Sequence, residues 1–384
     1  MKPVAVTAYT ATSALGRGRD AMLQALQRGA GGLKPNDFDG GKLPAWIGRV
    51  AGLEDVRVPA PLAEFDCRNN RLAQLGLQQD GFGDAVENAR GKYGAKRVAV
   101  LLGTSTSGIL HTELAYRAQD FKDLRYRYAQ NLYSMTDFVR RSLGLEGPSM
   151  TVSTACSSSA KVFAAASRYL EAGVADAAVV GGVDSLCLTT LHGFSSLQLV
   201  ADEPCRPFDA ARKGMSIGEA AGYALLERAG SGISLVGYGE SSDAHHMSSP
   251  HPQGEGALAA MRQALGRAGL EPAAIDYVNA HGTATPANDR AEDRALVRLF
   301  GSRVPVSSTK GFTGHTLGAA GIVEAIVCFL ALEHGFIPAT LNTTALEPGL
   351  ESDVVLKNRA AQVRRALSNS FGFGGSNCSL VFAA

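Results

Sequence analysis

The chain is short of the features that mark several common protein classes. It has six cysteines, Cys67, Cys156, Cys187, Cys205, Cys328 and Cys378, and no two of them form a CxxC pair. A disulfide framework is therefore not expected, and the cysteines read as thiols in a reducing, cytoplasmic setting. Charge of one sign is not in excess: 37 Lys and Arg stand against 36 Asp and Glu, a net of +1. Bulk electrostatics thus offer no case for nucleic acid or a membrane surface. No run of about 18 apolar residues is expected to cross a membrane. The small-residue stretch 155–182 is broken by Lys161, Arg168, Glu171 and Asp176. The opening MKPVAVTAYTATSALGRGRD lacks the apolar core and cleavage site of a signal peptide, so it reads as a first strand. There is a single Trp, and no low-complexity tail or Pro/Gly/Ser linker.

What the chain has is bulk, glycine and an internal echo. Its 384 residues are 45% hydrophobic, with 44 Gly. At roughly 100–200 residues per domain, two domains or two fused halves are expected. RVAVLLGTSTSG (97–108) resembles IDYVNAHGTAT (275–285) in layout: an apolar run ending in a Gly/Ser/Thr turn. TACSSSAKVFAAASRYLEAG (154–173) resembles GHTLGAAGIVEAIVCFLALEHG (314–335), and ADAAVVGGVDS (175–185) resembles RALSNSFGFGGSN (365–377). Helices at 20–28 and 256–268 are expected to complete the repeat. The boundary is placed near Gly230, giving halves 1–230 and 231–384. Alternating strands and helices predict an α/β protein. Helices 156–172 and 316–334, apolar on nearly every face, are expected between layers. The economical arrangement is an αβαβα sandwich built from two similar halves.

Three residues stand out chemically. Cys156 sits in Thr154-Ala155-Cys156-Ser157-Ser158-Ser159-Ala160, where small residues admit a substrate. The serines are expected to cap a helix starting at or just after Cys156. A helix N-terminus would lower the thiol pKa and offer N–H groups to an oxyanion. The same pattern also suits a buried, inert cysteine. His281 in Asn279-Ala280-His281-Gly282-Thr283 follows an apolar strand. His315 in Gly311-Phe312-Thr313-Gly314-His315-Thr316-Leu317-Gly318 precedes an apolar helix. Loops at such ends commonly present catalytic groups. A lone His is more often structural. Two in such turns, beside a helix-capping Cys, favour catalysis.

These motifs resemble the elongating-type β-ketoacyl-[acyl-carrier-protein] synthases of the thiolase superfamily. So do GPSMTVSTACSSSA (147–160), CRPFDAARKGMSIGEAAGYALLE (205–227), SSDAHHMSSP (241–250) and NSFGFGGSN (369–377). The resemblance runs over essentially the whole chain. It implies a thiolase-like five-layer sandwich, decarboxylative condensation of acyl and malonyl thioesters, and substrates carried on the phosphopantetheine of an acyl carrier protein, with no further cofactor and no metal. It also implies a homodimer, or a heterodimer with a related subunit, in a fatty-acid, polyketide or aryl polyene-type pathway.

Residue by residue, the resemblance makes Cys156 the acyl-accepting nucleophile. It makes His281 and His315 the groups that bind the malonyl carbonyl and assist decarboxylation. Lys310 and Glu324 match the family's lysine and carboxylate near the second His, and an ion pair of structural purpose suits them equally. The N–H groups of Cys156 and Phe373 would form an oxyanion hole, with Phe373 also a gate. Thr283 and Thr285 would hold the phosphopantetheine arm. Thr106 falls where a pocket-gating apolar residue is often found. Arg68, Arg71 and Arg206 are the docking candidates for the carrier protein, with Arg125 and Arg127 beside them. The competing readings are a non-catalytic, chain-length-setting subunit of a heterodimer, a thiolase using a second Cys such as Cys378, and a Cys-His-Asn hydrolase. The first predicts a missing nucleophile; the other two leave His315 or Lys310 without a task.

Overall fold

The computed structural model describes residues 1–38 and 40–384. Its strands are β1 (Val4–Ser13), β2 (Val98–Gly103), β3 (Ser149–Val152), β4 (Ala177–Asp184), β5 (Ala220–Glu227), β6 (Ser234–Ser242), β7 (Tyr277–Asn279), β8 (Pro305–Ser307), β9 (Asp353–Val354), β10 (Arg365–Gly372) and β11 (Ser376–Ala383). They hydrogen-bond in the order β9-β8-β7-β10-β11-β6-β1-β5-β4-β2-β3. The two halves repeat this order. In the first, β3, β2 and β4 are parallel and β5 and β1 antiparallel; in the second, β8, β7 and β10 are parallel and β11 and β6 antiparallel. The halves join where β1 meets β6 through Val4–Leu235 and Ala5–Ser234.

Each sheet is buried on both faces, as its strand sequences require. Along β2, Val98, Val100 and Leu102 face outward onto Leu72 and Leu75 of α2 (Arg68–Leu77), Phe82 and Val86 of α3 (Phe82–Tyr93), and Met135 and Phe138 of α4 (Leu132–Ser142). The alternate Ala99 and Leu101 face inward. Against them lie two central helices, α5 (Ser158–Glu171) and α8 (Ala320–His334). The second sheet covers the other side of these helices with Leu380 and Phe382, and sends Leu367 and Val381 outward to α6 (Glu255–Ala268) and α7 (Pro286–Phe300). This is the five-layer sandwich.

Two expectations need correction. Helix α1 (Arg19–Arg28) is not the counterpart of α6. Its buried Met22 and Leu26 belong to the central cluster, whereas the apolar face of α6 belongs to the outer one. Helix α2, packed on β5 and β1, occupies the place that mirrors α6. Second, Leu317–His334 is long and apolar enough to cross a membrane, contrary to the reading that no such run exists, but 89% of it is buried inside the protein. A helix enclosed by two apolar sheet faces meets the same composition as a membrane span.

Candidate active site

The parallel strands of both halves deliver their C-terminal turns to one place, where open α/β sheets usually bind ligands. Beyond β3 comes Cys156, beyond β7 His281, beyond β8 Lys310 and His315, and beyond β10 Phe373. These turns line a cleft that includes Cys156, His281, His315, Thr283, Thr285 and Phe373.

The nucleophile turn is strained and braced. Ala155 takes φ +51, a left-handed conformation that costs a non-glycine residue. The serines do not cap the following helix by side chain. Instead Ser158 Oγ accepts from Thr154 N–H at 2.9 Å and donates to Ala155 O at 2.6 Å, and Ser157 Oγ donates to Thr154 O at 2.9 Å. Ser159 Oγ accepts from Ile322 N–H at 3.0 Å, tying the starts of the two central helices together. Gly372 presses on the same turn. A Cβ there would lie 2.7 Å from Thr154 O and 3.2 Å from Cys156 N. The Phe373 N–H is directed at Cys156 sulfur, and its ring packs edge-on against Phe194 at 5.4 Å.

The thiol pKa moves opposite to the expected direction. Burial pushes Cys156 up to about 11, while the Lys310 charge and the Phe373 N–H pull the other way. Loss of water around the sulfur outweighs both. His315 Nε2 lies 3.1 Å from Cys156 Sγ. On the far side of that ring, Leu317 N–H donates to Nδ1 at 3.2 Å. An Nδ1 that accepts leaves the proton on Nε2. His281 is held the same way: Lys310 Nζ lies 3.2 Å from its Nδ1. Both imidazoles are held well below their usual pKa, first by burial and then by the Lys310 charge. The site thus contains two neutral rings, 5.3 Å apart, each offering Nε2–H.

Lys310 is buried and donates to Glu324 Oε1 and to the His281 carbonyl. Burial raises Glu324 to about 7, and Lys310 opposes this. Thr283 and Thr285 share a hydrogen bond of 2.8 Å between their hydroxyls on the cleft wall.

Some sequence-derived candidates lie elsewhere. Thr106 does not line the cleft; its N–H and its hydroxyl each lie 3.1 Å from Asp184 Oδ1. The charge of Arg68 is consumed inside the protein by Glu219 at 2.6 Å, with Glu54 as second partner, and its side chain is only 11% exposed. Arg71 forks onto Asp66 at 2.6 and 2.7 Å. Arg206 pairs with Glu203 at 2.7 Å. Arg125 donates to the Ala63 and Asp66 carbonyls, and Arg127 lies over the Tyr128 ring. Arg68, Arg71 and Arg206 thus face carboxylates, whereas these contacts of Arg125 and Arg127 are with neutral groups.

Two buried groups escaped the sequence reading. Glu292 accepts from His281 N–H and Gly282 N–H, both at 2.8 Å, and from Asn369 Nδ2 at 3.2 Å. It sits at about 7, raised by burial against those donors. It fixes the turn on which His281 stands. Asp184 accepts six hydrogen bonds from four residues and bridges the two halves. The available signal was spacing: Glu292 falls in the second turn of the helix after HGTATP, at i+11 from His281.

The family model described as beta-ketoacyl synthase, N-terminal domain, matches residues 1–231, and that of the C-terminal domain matches residues 233–344. The 3-oxoacyl-[acyl-carrier-protein] synthase 2 of Coxiella burnetii is 32% identical, over 99% of this chain and 98% of its own. The mitochondrial 3-oxoacyl-[acyl-carrier-protein] synthase of Arabidopsis thaliana is 42% identical over 64% of this chain, which spans 58% of that relative. A chain of the Xenorhabdus doucetiae complex of ketosynthase ApeO with its chain length factor ApeC superposes with a TM-score of 0.92 at 38% identity, covering 100% of this chain and 98% of that one.

Proposed function

The chain belongs to the beta-ketoacyl synthase family, and from the site we propose how it acts as a 3-oxoacyl-[acyl-carrier-protein] synthase. The observation that carries the reading is that the Cys156 sulfur and ring nitrogens of His281 and His315 lie within 4.8 Å of one another, while each ring's Nδ1 faces a donor.

In the first half-reaction Cys156 Sγ attacks the acyl thioester carbonyl. The developing oxyanion is met by the N–H groups of Cys156 and Phe373. The carrier thiolate leaves and takes up the proton released by Cys156. His315 serves as a donor toward sulfur here, because its Nδ1 is already occupied by the Leu317 N–H. It stabilises thiolate character that burial otherwise opposes.

In the second half-reaction malonyl thioester enters, its pantetheine arm along Thr283 and Thr285. Its C–C bond to carboxylate breaks, CO2 departs, and the electron pair forms an enolate. The enolate oxygen receives both Nε2–H groups. A positive imidazolium is not needed, and burial excludes it. The enolate carbon then attacks the acyl-Cys156 carbonyl, a C–C bond forms, and Cys156 leaves as thiolate and regains a proton from the medium. Holding the acyl group covalently makes this step intramolecular in effect.

The acyl carrier protein is the source of both substrates, and no cofactor takes part. The partner subunit is a second thiolase-fold chain. The likeness to a chain of a ketosynthase solved in complex with its chain length factor favours a related, non-identical subunit over a second copy. The reading of this chain itself as the non-catalytic subunit is disfavoured by the presence of Cys156, His281 and His315 in one cleft.

The test is turnover. Purified protein with acyl-carrier and malonyl-carrier thioesters should release CO2 and yield a 3-oxoacyl-carrier product. Absence of both, from folded protein, with varied acyl donors and with a co-expressed partner subunit, would overturn the reading.

A further inference from the structure

We propose that Asp184 is a positioning residue for His315: from the opposite half of the molecule it holds the turn whose N–H sets the His315 tautomer. The inference rests on the function proposed above.

Asp184 ends β4 and is fully buried. Its Oδ1 accepts from Thr104 Oγ1 at 2.6 Å, from Ser105 N–H at 3.0 Å, and from the Thr106 N–H and hydroxyl at 3.1 Å. Its Oδ2 accepts from Ser105 N–H at 2.8 Å and from Gly318 N–H at 2.6 Å. The first set anchors the carboxylate to the turn beyond β2. The Gly318 bond reaches the turn after His315, in the second half of the chain.

That turn is under strain. Leu317 takes φ +53, a left-handed conformation at a non-glycine residue buried in the core. Such a conformation persists only where surroundings enforce it. Its consequence is that two successive N–H groups point to different acceptors. Leu317 N–H donates to His315 Nδ1 at 3.2 Å, and Gly318 N–H donates to Asp184. The fit at Gly318 is tight, since a Cβ there would lie 2.6 Å from Ser105 N and 2.7 Å from Asp184 Oδ2. A carboxylate fits this position because every neighbour is a donor. An amide would turn one of its own N–H groups against Gly318 or Ser105. Loss of the anchor lets Leu317 relax, frees Nδ1, and allows the proton to leave Nε2, where the enolate needs it.

The experiment compares wild type with Asp184→Asn in two readouts. In the first, 15N-histidine NMR should show His315 as the Nε2–H tautomer in wild type and a mixed population in the variant. In the second, the condensation rate should fall on the order of 10²-fold, the scale of losing one oxyanion donor. Acylation of Cys156 should fall less steeply than condensation, because the Cys156 and Phe373 N–H groups that meet its oxyanion are untouched and only the His315 donor to sulfur is weakened. Should Asp184→Asn not fold, Leu317→Gly in the same background relieves the left-handed strain, and the double variant should recover folding and Nε2–H. An Nδ1–H tautomer in wild type would overturn the proposal. So would a variant with a native tautomer whose two half-reactions decline in parallel, or a double variant with no recovery. Failure of the function itself is distinct: wild type would then make no 3-oxoacyl product, whatever its tautomer.

Discussion

Lys310 Nζ stands 3.2 Å from His281 Nδ1 while donating to the buried carboxylate of Glu324. One ammonium therefore fixes a tautomer and neutralises an acid. Lys310→Met should lower condensation on the order of 10²-fold through His281. It should also cost about 3 kcal/mol of stability, since Glu324 loses its charge partner. Urea melts of Lys310→Met, Glu324→Gln and the double variant check this. The double variant should cost less than the sum of the singles, and strict additivity would contradict the coupling.

Cys156 should behave as a thiol, not a thiolate, at neutral pH. With its pKa pushed up to about 11 by burial, alkylation by iodoacetamide should accelerate with pH well past 8. A plateau reached below pH 7 would show that the nucleophile is ionised at rest.

Buried Glu292 and Glu324 both sit at about 7, above the 4.5 of an exposed glutamate. These two carboxyls alone lose stabilising effect as pH rises from about 4.5 through 7, because they bind protons there that the unfolded chain does not. His281 and His315, neutral when folded, contribute the opposite slope below the usual histidine range. The carboxyl contribution is isolated by comparing wild type with Glu292→Gln, which is neutral throughout: denaturation midpoints from pH 5 to 8 should show wild type losing ground to the variant as pH rises.

Arg68→Ala should destabilise without weakening carrier-protein docking. Glu219 would be left buried and unpaired, at a cost of about 3 kcal/mol, with Val50 and Leu186 N–H as its remaining partners. Stability melts and the KM for the carrier-bound substrate separate the two effects. A large rise in KM at unchanged stability would return Arg68 to the docking surface.

How much of this was legible in the sequence depended on distance along the chain. The Cys156, His281 and His315 turns are local Gly/Ser/Thr patterns at the ends of apolar runs, and such patterns survive translation into structure. The two central helices were legible because they are apolar all round, as enclosure between sheets demands. The ion pair of Arg68 was not legible because its partner Glu219 lies 151 residues away, and a solvated arginine has the same local sequence. Asp184 and Glu292 look like surface acids until the fold surrounds them with N–H groups. The cysteine's helix position was foreseeable; the depth of its burial was not, since burial is set by both halves together.

The central claim is a division of labour: Cys156 holds the acyl chain while His281 and His315 handle the enolate. Intact-protein mass spectrometry after incubation with acyl-carrier thioester tests it most directly. Wild type and His281→Ala should both carry the acyl mass, localised to the Cys156 peptide, and Cys156→Ala should carry none. On adding malonyl-carrier thioester, only wild type should lose that mass as product forms. A His281→Ala protein as devoid of adduct as Cys156→Ala would contradict the account.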